Sequence, residues 1–296
     1  MPPAEHFAAA PHWEWWILGY FVFGGIAGGS YAIGTLIRLA GAPADQPLSR
    51  LAYIVSFLAL IPCPIFLTLD LGQPLRFYHM LVDVSDGGLN FKAWSPMSVG
   101  SWALVGFGLF SFVSFLGALA ERGTRPLSAF RAFVRGTLGN IWGIIGTGLG
   151  FFVAGYTGVL LAVSNQAVWS DAGWVLGGLF LASALAGSAA LLLALAHSRR
   201  ADGIGTSPGL VAADRNFAVL EAILLVLFIA SVAVAGTIGK VLGVWIVLWI
   251  VVILGLAAPF MSGRIRGAAW VPAAIPIVSL LGLVALRALV IFSAQS

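Results

Sequence analysis

Residues 136–163 read GTLGNIWGIIGTGLGFFVAGYTGVLLAV. These 28 residues carry no charged side chain, and roughly 20 apolar residues suffice to cross a bilayer as a helix. The remainder of the chain offers little polar surface to cover such a segment. Of 296 residues, 60% are hydrophobic and 9% charged, against about 25% charged in a soluble domain. A water-soluble enzyme and a disordered chain are therefore both excluded. Working outward from 136–163, seven more stretches qualify as spans. The eight run about 16–39, 51–69, 96–119, 136–163, 173–196, 217–238, 241–261 and 271–292, within one transmembrane domain over 1–296. The expected fold is all-α and integral to the membrane, with eight helices packed as bundles. The last three spans are the least clearly separated, because the break at Gly239-Lys240 is short. Residues 1–11 contain Glu5 and no lysine or arginine, unlike a cleavable signal peptide, so the first span is expected to be retained.

Basic residues orient the spans. The connections after spans 1, 3, 5 and 7 hold Arg38, Arg50, Arg122, Arg125, Arg131, Arg135, Arg199, Arg200, Arg215, Arg264 and Arg266, which are 11 of the 15 basic residues. The other side holds Arg76, Lys92 and Lys240, with most of the acids: Glu5, Glu14, Asp70, Asp83, Asp86 and Asp171. This asymmetry puts the arginine-rich loops in the cytoplasm and both termini outside. Trp13, Trp15, Trp16, Trp94, Trp169, Trp174 and Trp245 fall at the outer side, against Trp142 and Trp270 at the inner one. An aromatic belt alone would load both faces. The longest connection, 71–95, is also outer, and long loops in compact proteins tend to be functional. The outer face is thus the candidate surface for a partner.

Several chemistries are excluded. Cys63 is the one cysteine, so the chain offers no disulfide framework, thiolate zinc site or iron–sulfur ligation. His6, His12 and His79 lie outside the spans and His197 stands alone at the inner end of span 5, so no pair brackets a haem. No metal site is expected. The net charge of +4 comes from scattered loop arginines, not from a nucleic-acid footprint. Any redox work would need a diffusible carrier and electrons exchanged with another subunit.

Within the spans, Gly24 and Gly28, Gly25 and Gly29, Gly139 and Gly143, and Gly146 and Gly150 form small-xxx-small pairs. They serve close helix packing, or else leave a slot for a flat ligand. Pro62 and Pro64 around Cys63 remove backbone donors and predict a kink or unwound turn. Ser95-Pro96 reads as an N-cap with proline at the first helical position. Ionisable residues at membrane depth are costly and are functional candidates by default. Tyr20, Asp70, Tyr156 and Arg287 fall in the outer half of the bilayer, whereas Glu221 is expected about one turn inside the inner end of span 6. Each has a structural alternative. Tyr20 could be a belt tyrosine. Asp70 could cap a helix and pair with Arg76, Arg287 could be its counter-ion, and Glu221 could pair with Arg215.

At these residues the chain resembles the NrfD family, typified by the membrane subunit of polysulfide reductase. The resemblance rests on WWILGYF at 15–21 leading into GIAGG at 25–29, LDLGQP at 69–74 with RFYH at 76–79, SPMS at 95–98 with GSW at 100–102, YTGVLL at 156–161 with Asn165 and Trp169, and Leu286-Arg287. It implies an eight-helix, haem-free subunit that binds exchangeable menaquinone or ubiquinone. It also implies a docked multi-cluster, ferredoxin-like iron–sulfur subunit on the outer face, wired to a molybdopterin-type catalytic subunit, in a bacterial cytoplasmic membrane with the partners on the periplasmic side. The family's span-4 tyrosine maps to Tyr156. A histidine and an asparagine of span 1 map to Tyr20 and Ile17, which are departures from the pattern. On this reading Tyr20 and Tyr156 hold the quinone head group between spans 1, 2 and 4, and Asp70 relays protons. The glycine faces with Gly25 and Gly28 take the tail, and Glu221 with Arg287 offers a proton route. The competing readings are a secondary transporter, which predicts inverted repeats and midplane helix breaks, and a passive anchor.

Overall fold

The structure, a computed structural model, describes residues 13–83, 87–199, 204–205, 207–261 and 271–295. Glu5, His6, His12, Asp86, Arg200, Arg264, Arg266 and Trp270 lie outside these. The described residues are helical almost throughout, apart from turns and an isolated antiparallel bridge between Val82 and Leu89. The long helices are α1 (Trp15–Ala40), α2 (Gln46–Leu60), α3 (Pro62–Asp70), α4 (Pro96–Glu121), α5 (Gly136–Ala162), α7 (Val175–Ser198), α8 (Pro208–Val234), α10 (Ile246–Met261) and α11 (Val271–Ser293). Two short helices, α6 (Trp169–Ala172) and α9 (Ile238–Leu242), sit in connections. Seven spans among the described residues are long and apolar enough to cross a membrane, with α2 and α3 counted as one; α10 is apolar but only 16 residues long.

The helices form two groups. In the first, α1 packs on α2, α3 and α5, and α4 packs on α2 and α5. In the second, α7 packs on α8 and α11, and α10 packs on α8 and α11. α1 and α5 join the groups by packing on α7. Apolar periodicity cannot orient helices whose lipid face and core face are both apolar; side-chain size does it here. The most apolar stretch of α1, rich in glycine, alanine and serine, is 89% buried, whereas that of α8, rich in leucine, isoleucine and valine, is 28% buried. Small residues let backbones approach, where packing replaces the hydrophobic driving force. A methyl group on Gly28 would stand 2.2 Å from the Gly150 carbonyl oxygen of α5, and one on Gly29 2.4 Å from Ser188 Oγ of α7.

The break expected at Pro62 and Pro64 is present, and two other boundaries differ from the sequence reading. The second span is interrupted at Ile61, because Pro62 and Pro64 cannot donate to the carbonyls a turn behind them. α8 starts at Pro208, nine residues before the expected 217, with Ser207 at its N-cap position. Its first turns carry Asp214 and Arg215, which hid them from an apolar scan. Spans 6 and 7 separate at Gly236, whose φ of +79° suits glycine, and Gly239-Lys240 lies inside α9. At Ser95 the expected cap is present, its hydroxyl accepting from Ser98 N. The start of α1 and the end of α11 meet: Trp13 N donates to Gln295 Oε1 at 2.8 Å and Gln295 Nε2 donates to the Trp13 carbonyl at 3.2 Å. Trp13 stacks on Trp169, which is fully buried rather than part of a belt and donates to the Val290 carbonyl.

Gly28→Ala is expected to lower stability by about 1–3 kcal/mol through overpacking at the α1–α5 crossing. Gly148→Ala, with nothing within 4 Å of the added methyl, should stay within roughly 0.5 kcal/mol. Thermal unfolding of the detergent-solubilised chain compares the two.

Candidate functional site

A cavity of about 190 Å³ lies at the end of the first helix group where α1 begins and α3 ends. α3 packs on α1 and α4 packs on α5, while α3 and α4 scarcely touch, and the gap between them is the cavity. Its lining is mostly apolar, from Ile17, Pro64, Leu67, Met97, Leu104 and Leu160. The 71–95 connection supplies the roof: Leu71, Phe77, Met80 and Leu81 close over it.

Tyr20, Asp70 and Tyr156 all line this one cavity. Tyr20 is almost completely buried, with its ring against Gly24 and next to Cys63 and Val153. Its hydroxyl has no hydrogen-bond partner among the described residues, although a buried tyrosine hydroxyl normally finds one. Tyr156 comes from α5, stacks on Phe152 at 5.5 Å, and donates to the carbonyl of Pro96 at the start of α4. Gly100 makes that approach possible, because a methyl there would meet the Tyr156 ring at 2.4 Å. Asp70 closes α3 at the mouth of the cavity, near enough to Glu14 for the two carboxylates to repel. Among the described residues Asp70 pairs with neither Arg76 nor Arg287, so both alternatives raised from sequence fall away. Two uncommitted polar groups thus face a mostly apolar recess, the kind of lining that small-molecule sites share.

Arg287 and Glu221 lie elsewhere. Arg287 is fully buried between α1 and α7. Its Nε donates to the Phe21 carbonyl at 3.2 Å, Nη1 to Ser183 Oγ at 3.0 Å and Nη2 to the Phe180 carbonyl at 3.0 Å, with the guanidinium 5.0 Å from the Phe180 ring centre. The Glu221 carboxylate lies near Ser183 and Arg287. Glu221 is not near an inner helix end. Because α8 starts early, Glu221 sits 13 residues along it, about 20 Å from the start at 1.5 Å per residue. Arg215 reaches the Pro259 carbonyl at 3.3 Å. Sequence reasoning missed Asp214, which is buried two turns before Glu221 on the same helix face, with Oδ1 lacking a hydrogen-bond partner among the described residues. Asp214 and Glu221 flank a small void of about 10 Å³ with Gly187, Gly255, Ser279 and Gly282, room for about one water. The i, i+7 spacing was the available signal, but 214 lay in an expected loop.

Gly25 and Gly28 do not line the cavity. A methyl on Gly25 would stand 2.9 Å from Arg287 Nη2 and 3.2 Å from the Ala184 methyl, so this face of α1 is filled by α7 and α11. Gly28 meets α5. Both belong to helix packing, and the slot expected there for a ligand tail is closed. Among the described residues no group of three or more His, Cys, Asp or Glu could hold a metal ion.

The family pattern described as polysulphide reductase, NrfD, matches residues 4–296. A selenate reductase subunit from Mesobacillus selenatarsenatis is 33% identical over 70 residues, which are 24% of this chain and 16% of that protein. The chain thus aligns with about one-sixth of that relative's length. A match running from residue 4 to the last residue, on an all-helical, multi-span fold, places the chain in the NrfD (polysulphide reductase) family of membrane proteins.

Proposed function

We propose that the chain is the haem-free, quinone-reactive membrane subunit of a multi-subunit reductase complex. It exchanges electrons between menaquinone or ubiquinone in the bilayer and a docked iron–sulfur subunit. The observation that carries this reading is the convergence of Tyr20, Tyr156 and Asp70, from three helices, on one mostly apolar cavity. The name of the partial relative, a subunit of a selenate reductase, supports membership of such a complex. The iron–sulfur subunit would sit on the 71–95 roof and the tryptophan-rich outer face, and would connect to a molybdopterin-type catalytic subunit. Eight crossings, with the 246–261 segment as the seventh, put both chain ends on one side, in accord with the Trp13–Gln295 contact. The arginine asymmetry makes that side periplasmic and the membrane the bacterial cytoplasmic one.

A quinone supplies a carrier of two electrons and two protons. The residues here fit its head group. At about 190 Å³ the cavity is smaller than the roughly 300–1,000 Å³ of drug-sized sites, so it suits a ring without its tail. The exit for the tail is between α3 and α4, where Pro64, Met97 and Val105 are exposed to lipid. Tyr20 has a hydroxyl donor to offer a ring carbonyl. Tyr156 offers its oxygen as an acceptor, or its proton after leaving the Pro96 carbonyl. Asp70, at the mouth beside Glu14, passes protons between the cavity and the outer side. Asp214 and Glu221, two turns apart on one face of α8 around a small void, supply a route from the inner side that ends near Ser183 and Arg287.

Tyr20→Phe and Tyr156→Phe should each reduce quinone-linked turnover about 3–10-fold, the worth of one hydrogen bond. Asp70→Asn should reduce it about 10²–10⁴-fold, as for loss of a general acid–base group. Turnover with an artificial dye at the catalytic subunit should be unchanged in all three. Equal quinone-linked rates in the three variants and wild type would reject the site and favour a passive anchor.

Glu221→Gln is expected to leave dye-linked turnover intact and to abolish proton movement per quinone turned over in sealed vesicles. Proton release that persists in the variant removes the inner route.

A further inference from the structure

At the other end of the first helix group, opposite the Tyr20 cavity, lies a second cavity of about 550 Å³. Arg38 from the last turn of α1, Arg50 from α2, Glu121 from the end of α4, and Arg135, Gly136 and Asn140 from the start of α5 line it. Three guanidinium groups face one carboxylate here, which leaves a local charge of about +2. Glu121 is taken up within the protein. Arg38 grips it with Nη1 and Nη2 at 3.1 and 3.0 Å, and Arg135 Nε donates to it as well. Its side chain is only 1% exposed, so its charge is turned away from the opening. Arg50 donates one N–H to the Glu121 backbone carbonyl at 3.4 Å and keeps its other donors for a ligand. Asp45, the neighbouring acid, is turned back onto the Ala42 amide.

A further feature marks the cavity as an anion site. The N-terminus of α5, a helix of 27 residues without a side-chain cap, opens onto it at Arg135 and Gly136, so its first amides and the positive end of its dipole face the space. The α2 start adds no free amide, because Gln46 N donates to the Pro43 carbonyl and Pro47 has no N–H. Arg38, nine-tenths buried with both Nη groups on Glu121, contributes charge, while Arg50 contributes the free donors.

We propose that this cavity binds a phosphate group, carried by the headgroup of an acidic phospholipid or by free phosphate. A helix N-terminus beside guanidinium forks matches phosphate oxygens, which accept several hydrogen bonds at once. On the orientation proposed above the cavity opens at the cytoplasmic leaflet, where basic pockets between spans meet anionic headgroups. The site is independent of the quinone reading, since it shares no lining residue with the Tyr20 cavity.

The test is the thermal unfolding of the chain, purified with any accompanying subunits, in nanodiscs. Three conditions are compared: phosphatidylcholine alone, phosphatidylcholine with phosphatidylglycerol, and phosphatidylcholine with inorganic phosphate in the buffer. Site occupancy should raise the midpoint by about 2–5 °C. Arg50→Gln should lose that rise, while Arg122→Gln/Arg125→Gln, outside the cavity, should keep it. A rise with phosphatidylglycerol alone assigns the site to a lipid headgroup, and a rise with inorganic phosphate assigns it to a soluble anion. No rise in either condition, or an equal rise in Arg50→Gln, overturns the proposal. Should Arg50→Gln fail to fold, Asn140→Leu, which narrows the cavity without removing charge, replaces it with the same expected loss.

Discussion

The contact of two backbones at Gly28 and Gly150 is the constraint on which the site depends. A side chain at either position would push α1 and α5 apart, and with them the two tyrosines. Tyr20 precedes Gly28 by eight residues and Tyr156 follows Gly150 by six. On antiparallel helices both displacements run toward the same end, by about 12 and 9 Å at 1.5 Å per residue. The crossing therefore sets the two rings at nearly one depth on neighbouring helices. Gly100 repeats the device on α4, where the lack of a side chain admits the Tyr156 ring. Glycines at helix contacts thus position the groups that line the cavity, and Gly100 lines it as well.

Depth was legible in the sequence and rotation was not. Counting along apolar stretches puts Tyr20, Asp70 and Tyr156 in one half of the bilayer, and three groups at one depth on packed helices have few places to go but together. Rotation about each helix axis decides which residues face a cavity, and an apolar helix in lipid gives no polarity contrast from which to read it. That is why Gly25 and Gly28 read equally well as a slot or as a seam. It is also why Arg287, at the correct depth for Asp70, turns toward Ser183 and the carbonyls of Phe21 and Phe180. Asp214 was hidden for a different reason. An acid and an arginine side by side look like loop, whereas α8 carries both within its helix, Asp214 turned inward and Arg215 reaching the Pro259 carbonyl.

The second helix group manages ionic groups under the same lipid constraint. An isolated charge at the bilayer centre costs at least about 2.5–3.5 kcal/mol, so it survives only when partners surround it. Arg287 satisfies three donors on two carbonyls and the Ser183 hydroxyl, and the Glu221 carboxylate lies close by. Asp214 completes the line toward the other end of α8, and the glycines Gly187, Gly255 and Gly282 leave between it and Glu221 the space that one water needs. A line of this kind has no packing advantage over aliphatic side chains of the same volume. On the proposed reading, that cost is carried for proton movement.

The two tyrosines are not equivalent, and the difference follows from their backbones. Tyr156 already donates to the Pro96 carbonyl, so binding a carbonyl-bearing ring through its proton would first break that bond. Tyr20 has no such commitment, and its buried hydroxyl loses nothing by turning toward a ligand. On the proposed reading Tyr20 is the ready donor, and Tyr156 is the group whose proton becomes available only when the Pro96 contact opens. On that reading the two tyrosines distinguish two ligand states by hydrogen bonding alone. An oxidised ring, which only accepts, is met by Tyr20, and a reduced ring, which also donates, finds the Tyr156 oxygen.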